Sequence, residues 1–182
     1  MGILLCGLNG AGKSTVGRLL AQRLSYRFID NEDLFFPKED PEYVYSHPRS
    51  KTEVIRLLEE AISPGPRFVF AAVRGDYGDM LLSLLDCAVL IDALRSVRLQ
   101  RVQDRSFAKF GERMLPGGDL YEREDAFFSL VGSRPEDYVS SWLECVNCPV
   151  VRIDGTRPAE ENVKYLVSVI SEGKIDDRLQ DR

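Results

Sequence analysis

The chain has 182 residues, 44% of them hydrophobic and 29% charged, a composition that suits one folded domain and excludes a disordered or fibrous chain. Lys plus Arg is 24 against 29 Asp plus Glu, so the net charge of −5 lacks the global basic footprint of a nucleic-acid binder. No apolar run approaches the roughly 20 residues that cross a bilayer.

Residues 1–7 are apolar but short and without a basic start, so they read as a strand and not as a signal peptide. The strand itself covers 3–6. Residues 13–24 follow with Val16, Leu19, Leu20 and Leu24 at helical spacing. A second strand spans 26–30. Residues 50–62 form a helix with Val54, Ile55, Leu58 and Ile62 on one face, stopped by Ser63-Pro64-Gly65-Pro66. Residues 68–73 are continuously apolar, the pattern of a strand covered on both faces. A short helix over 77–85, a buried strand over 88–91 and a helix over 95–110 come next. The fifth strand is 150–153 and the last helix 158–171, and the charged tail from Gly173 is expected to fray.

This order predicts an α/β fold, a three-layer sandwich around a parallel five-stranded sheet. Two stretches interrupt it. Residues 34–49 are polar and contain proline, and residues 109–148 add two helices, 120–131 and 135–145. Neither carries enough apolar residues for its own core, so residues 1–182 form one domain. Four cysteines without an export signal read as reduced thiols of a cytoplasmic protein. Cys145-x-x-Cys148 lacks the second ligand pair that zinc normally requires.

The strongest motif is Gly7-Leu8-Asn9-Gly10-Ala11-Gly12-Lys13-Ser14, a full G-x-x-x-x-G-K-[ST] match between a strand and an amphipathic helix. Its glycines let the backbone wrap a phosphate and turn N–H groups inward. The helix N-terminus adds favourable partial charge. Lys13 can reach β- and γ-phosphates, and the Ser14 hydroxyl can ligate Mg²⁺. Asp30-Asn31-Glu32-Asp33 ends the second strand, at the sheet edge where ligands gather. One carboxylate near Mg²⁺ and another acting as base on an acceptor hydroxyl is what phosphoryl transfer needs. Spacings of three and four place Arg98, Arg101 and Arg105 on one helical face.

With these motifs the chain resembles the small P-loop kinases of the adenylate kinase and shikimate kinase-like group, P-loop nucleoside triphosphate hydrolases often described only as AAA-type ATP-binding proteins. The resemblance covers nearly the whole chain and implies the sheet order 2-3-1-4-5. It also implies an acceptor-binding flap over about 34–62, a helical lid over about 106–138, and ATP with Mg²⁺ as cofactors. Residues Gly7 to Ser14, with Thr15, would cradle the nucleotide. Ser14 and Asp30 would face the metal, and Glu32 or Asp33 the acceptor. Asp33-Leu34-Phe35-Phe36 is similar to an Asp-Asp-Phe-Phe segment of nicotinamide riboside kinases, which favours Asp33 as base, with Glu32 or Asp30 behind it.

The family's usual Asp-Gly-x-Pro-Arg or Gly-Gly turn is replaced by Val73-Arg74-Gly75-Asp76-Tyr77-Gly78, so Arg74, Asp76 and Tyr77 would face the acceptor. The family's R-x-x-x-R pair is matched by Arg101, stacking on adenine, and Arg105, binding the transferring phosphoryl. Thr156, Arg157 and Pro158 would form the second adenine wall. Arg49 would contact an anionic acceptor, and Phe35, Phe36, Tyr43 and Tyr45 are candidates to line its pocket. The expected activity is ATP-dependent phosphoryl transfer to a small hydroxyl-bearing metabolite or nucleoside, with Lys13, Asp33 and Arg105 catalytic. The alternatives are a nucleoside monophosphate kinase and a nucleotide-binding regulator with little turnover.

Overall fold

The computed structural model describes residues 1–37 and 43–171. Residues 38–42, near the start of the expected flap, and the charged tail lie outside the described residues. The sheet consists of β1 (Gly2–Cys6), β2 (Arg27–Asp30), β3 (Phe68–Ala71), β4 (Leu85–Asp92) and β5 (Val150–Asp154). Its strands pair in parallel in the order β2-β3-β1-β4-β5, as the resemblance implies. The helices are α1 (Lys13–Leu24), α2 (Asn31–Phe35), α3 (Lys51–Ile62), α4 (Asp79–Leu84), α5 (Arg95–Phe110), α6 (Tyr121–Ser133), α7 (Ser140–Leu143) and α8 (Ala159–Ser171).

Alternation along β1 explains the layers. Leu4 and Cys6 point into a core shared with α3, α4 and α7, and Ile3 and Leu5 into a core shared with α1 and α8. Both faces are covered, so the strand residues need no polar partners and read as unbroken apolar runs. Each fully buried aliphatic side chain contributes about 1.5–3 kcal/mol. No helix among the described residues is long and apolar enough to cross a membrane.

Helices α1 and α5 keep the limits read from periodicity. Other elements shift by a residue or two, and four differences have a visible cause. β3 stops at Ala71, because beyond it the chain turns to serve the glycine-rich loop: the Gly7 amide donates to Val73 O at 3.2 Å. β4 starts at Leu85, where residues read as helix pair instead with β1. The short helix α2 was hidden in the acidic segment; the Asp30 carboxylate accepts from the Glu32 amide at 3.1 Å and caps it. The helix expected over 135–145 shrinks to Ser140–Leu143. There the Glu136 carboxylate takes two bonds, of 2.7 and 2.6 Å, from the buried Arg98 guanidinium, and this tertiary pull overrides local propensity.

The excursion between α5 and β5 is framed by named bonds. Helix α5 runs unbroken to Phe110, and Gly111 leaves it at φ 59°. The chain returns through α6, whose end is held by the Arg95 guanidinium donating to Gly132 O. The Arg98–Glu136 pair then fastens the residues that follow to the first turn of α5.

Candidate active site

The glycine-rich loop joins β1 to α1 at the carboxyl edge of the sheet. Gly10 sits at φ 81°, and a Cβ there would lie 2.2 Å from Arg98 O, so the loop can lie against the α5 backbone only as glycine. Gly155, after β5, meets the loop as closely: a Cβ would lie 2.4 Å from Ala11 O. Lys13 reaches back over the loop and donates to Leu8 O at 3.1 Å. Burial pushes its amine down to about 8; Asp30 pulls it up, and Arg105 and Arg134 push it further down.

A cavity of about 510 Å³ opens over this edge. Its floor is Lys13, Ser14, Asp30 and the end of β3; Arg105 and Arg134 reach into it from the lid side. A smaller cavity of about 170 Å³ lies on the other side of Lys13, against Gly12, Thr15 and Arg101. A third, of about 250 Å³, continues the main one past Asn31 and Arg134, and Lys51, Arg74, Asp76 and Tyr77 line it.

The carboxylates divide sharply. Asp30 is almost buried, with Oδ1 on the Glu32 amide and Oδ2 3.6 Å from Arg18. Glu32 lines the main cavity and carries a cationic fringe: Arg105 and Lys109 each lie 3.5 Å away, and the Tyr45 hydroxyl donates to Oε1 at 2.8 Å. Burial and the neighbouring Glu32 hold the Tyr45 phenol above its ordinary range. Asp33, the first choice of base from sequence, is exposed and lines none of the three cavities. The capping bond fixes this. With Asp30 as cap, Asn31 and Glu32 turn to the cavity, and the helical turn carries Asp33 to solvent.

Other expected residues separate in the same way. Arg101 donates to Gly155 O at 2.9 Å and to Gly10 O at 3.4 Å, bridging the β5 loop and the glycine-rich loop. The Thr156 hydroxyl and amide are taken up by Asp154, at 2.6 and 2.8 Å, and this pair holds Asp154 below the usual carboxylate range. Arg157 is exposed and pairs with Glu161 at 3.0 Å. Thr156, Arg157 and Pro158 line none of the three cavities. Arg49 lines none either; it donates to Leu34 O at 2.9 Å and lies 3.6 Å from Glu53, tying the end of α2 to the first turn of α3. Arg74 stacks on Tyr138, 4.1 Å from the ring centre, and pairs with Asp76 at 3.3 Å. Arg98 leaves the expected basic face: it is 3% exposed and bonded to Ala93 O and Glu136.

Sequence reasoning missed several cavity residues, among them Asn31, Arg134 and Leu130. Asn31 accepts from the Tyr77 hydroxyl and lines both the main and third cavities. Arg134 donates to the Asn9 side chain and lies at the junction of the same two cavities. Leu130 faces the main cavity while 56% exposed. A lone Arg before proline and a Leu in an amphipathic helix carry no local signal. Only the return of α6 over the sheet edge brings them in.

The two buried thiols show no reactive setting: burial pushes Cys6 and Cys87 up to about 12. Among the described residues no group of three or more His, Cys, Asp or Glu could hold a metal ion. Ser14 and Asp30 nevertheless share the cavity floor, one hydroxyl and one nearly buried carboxylate. That donor set fits Mg²⁺, which keeps water and phosphate oxygens for its remaining positions.

Residues 3–111 match the family model described as an AAA domain. The uncharacterized protein YqaC of Bacillus subtilis is 25% identical over 177 residues, 93% of this chain and 97% of that protein. A shikimate kinase of Gloeobacter violaceus is 28% identical, with 93% and 94% covered. Deoxyadenosine kinase from M. mycoides, solved with bound dATP, shares the fold at a TM-score of 0.58, with 13% identity over 94% of this chain and 100% of that one.

Proposed function

The chain belongs to the AAA-domain family and is an ATP-dependent small-molecule kinase, and we propose how its cleft divides the work. The observation that carries the reading is the meeting of Lys13 and Ser14 with Asp30, Glu32, Arg105 and Arg134 around one cavity. The triphosphate lies on residues 7–15 and the base points toward Arg101, which lines the smaller cavity and donates to Gly155 O in the loop after β5. The acceptor enters the main cavity from the flap side.

Ser14 and Asp30 would hold Mg²⁺ with the phosphate oxygens, and the ion would neutralise charge developing on the transferring group. Lys13 and Arg105 supply fixed positive charge at the same place, with no reorganisation needed at the moment of transfer. Glu32 takes the proton of the acceptor hydroxyl. In the free protein Arg105 and Lys109 face its carboxylate. A bound triphosphate competes for Arg105, which leaves Glu32 to the acceptor. The lid residues shut out water, which would otherwise take the phosphoryl group.

A nucleoside monophosphate kinase would place its acceptor phosphate in the third cavity, on Lys51 and Arg74. Asp76 lies 3.3 Å from both cations and already engages them, which favours a hydroxyl acceptor. The test is ADP release with and without candidate acceptors, for the natural chain and Lys13→Ala. Acceptor-dependent release that disappears in Lys13→Ala supports transfer. Release that is equal with and without every acceptor, beside tight ATP binding, would make the protein a nucleotide-binding regulator.

A further inference from the structure

One wall of the main cavity is apolar, and of its side chains only Tyr45 also packs in a core. Phe36 and Tyr45 come from the flap, with ring centres 4.9 Å apart in an edge-to-face pair. Phe127 and Leu130 come from α6, three positions apart and on one face of the helix. Phe36, Phe127 and Leu130 belong to none of the three packed cores, yet all line the cavity. Leu130 leaves 56% of its surface exposed there. Apolar surface kept out of a core and gathered around a cleft marks a ligand with apolar surface of its own.

This wall is not on the nucleotide-base side. The sheet order places β2 and β3 on one side of the phosphate loop and β4 and β5 on the other. Arg101 and Gly155, which face the proposed base, are on the β4–β5 side. The aromatic flap follows β2, and the main cavity's floor continues along Ala71, Ala72 and Val73 after β3. Whatever touches the wall is therefore the acceptor.

We infer that the acceptor is an alcohol carrying a planar, largely apolar ring, with the ring on the Phe36–Tyr45–Phe127–Leu130 wall and the hydroxyl at Glu32. This rests on the kinase reading and deepens it. A flat ring satisfies such a wall by stacking and edge-to-face contact. A polyol would bury hydroxyls against Phe36, Phe127 and Leu130, which offer no hydrogen bonds, and each unpaired hydroxyl opposes binding. Polar groups lie toward the phosphate loop and the end of β2, where Lys13, Ser14, Asp30, Asn31 and Glu32 line the cavity. That arrangement orients a molecule with one polar end and one apolar end.

The experiment compares ADP release with two sets of probes: adenosine, cytidine and pyridoxine as ring alcohols, gluconate and shikimate as polyol acids. Turnover with a ring alcohol and none with the acids is expected. Leu130→Glu should then raise KM for that acceptor by about tenfold or more with a smaller change in kcat, and Leu130→Met should restore it. The substituted position is exposed, so a melting curve separates misfolding from lost recognition. Turnover of gluconate or shikimate alone overturns the inference and leaves the kinase reading standing. No Lys13-dependent ADP release with either set overturns both.

Discussion

The Tyr43 hydroxyl donates to Glu124 Oε1 at 2.8 Å, and this bond joins the segment between α2 and α3 to helix α6. Glu124 is fully buried, and its other oxygen, Oε2, has no hydrogen-bond partner among the described residues. Phe110 packs 5.2 Å from the Tyr43 ring, so the junction is apolar around one polar pair. Removing the donor leaves a buried carboxylate with still less compensation. Tyr43→Phe is therefore expected to lower the unfolding free energy by about 1–3 kcal/mol in urea titration. Glu124→Gln keeps an oxygen for Tyr43 and should cost less. Equal stability of Tyr43→Phe and the natural chain would show that the bond does not tie that segment to α6.

Lys13 gives a pH signature. Its amine is pushed from the ordinary 10.5 down to about 8 by burial, so in the free protein it loses its charge near that pH. The unfolded chain holds the proton up to the ordinary value. The burial penalty is thus full below about pH 8 and fades as pH rises toward 10.5, and this one group makes the free protein relatively more stable across that window. A bound triphosphate reverses the preference by favouring the charged amine. Above about pH 8, ATP binding should take up a proton, and affinity should fall by up to about tenfold per pH unit. Calorimetry at alkaline pH in two buffers of different ionisation enthalpy reads the uptake directly. Lys13→Met should abolish it; an uptake that persists would place the titrating group elsewhere.

The three acidic residues after β2 should respond differently to neutralisation. Glu32→Gln is expected to cut acceptor-dependent transfer by about 10²–10⁴-fold while ATP still binds, because a general base contributes on that order. Asp33→Asn, at an exposed position outside the cavities, should change transfer little. Asp30→Asn should raise the Mg²⁺ concentration needed for half-maximal rate. It should also lower stability, since Asp30 caps α2. Turnover measured against Mg²⁺ for all three variants decides. Loss of transfer in Asp33→Asn alone would return the base to that residue.

What could be read from the sequence follows from how local the physics is. The glycine-rich loop and α1 were legible because Gly10 and Gly12, the left-handed positions, and the apolar repeat from Val16 to Leu24 carry their own instructions. The five strands were legible because both sheet faces are covered. The assignment among Asp30, Glu32 and Asp33 was not, since it depends on which carboxylate caps a five-residue helix too short to show a period. Arg134 and Leu130 gain their places only when Arg95 and Arg98 fasten Gly132 and Glu136 to α5, a bond pattern with 37 and 38 residues between partners.

Arg101 and Arg105 lie one helical turn apart on α5 but touch different partners, and this separates their roles. Arg101 bridges Gly155 O and Gly10 O, so it shapes the nucleotide end and fixes the β5 loop against the glycine-rich loop. Arg105 reaches the main cavity and lies 3.5 Å from Glu32, at the transfer end. Arg101→Ala should weaken ATP binding and lower the melting temperature, with a smaller effect on the rate at saturating ATP. Arg105→Ala should lower kcat more than it weakens ATP binding, because the charge it meets is greatest in the transition state. A binding titration with ATP, paired with acceptor-dependent kcat for each variant, gives the split. Parallel losses of binding and rate in both variants would mean that the two guanidiniums act together on the triphosphate, and the division between a nucleotide end and a transfer end would fall.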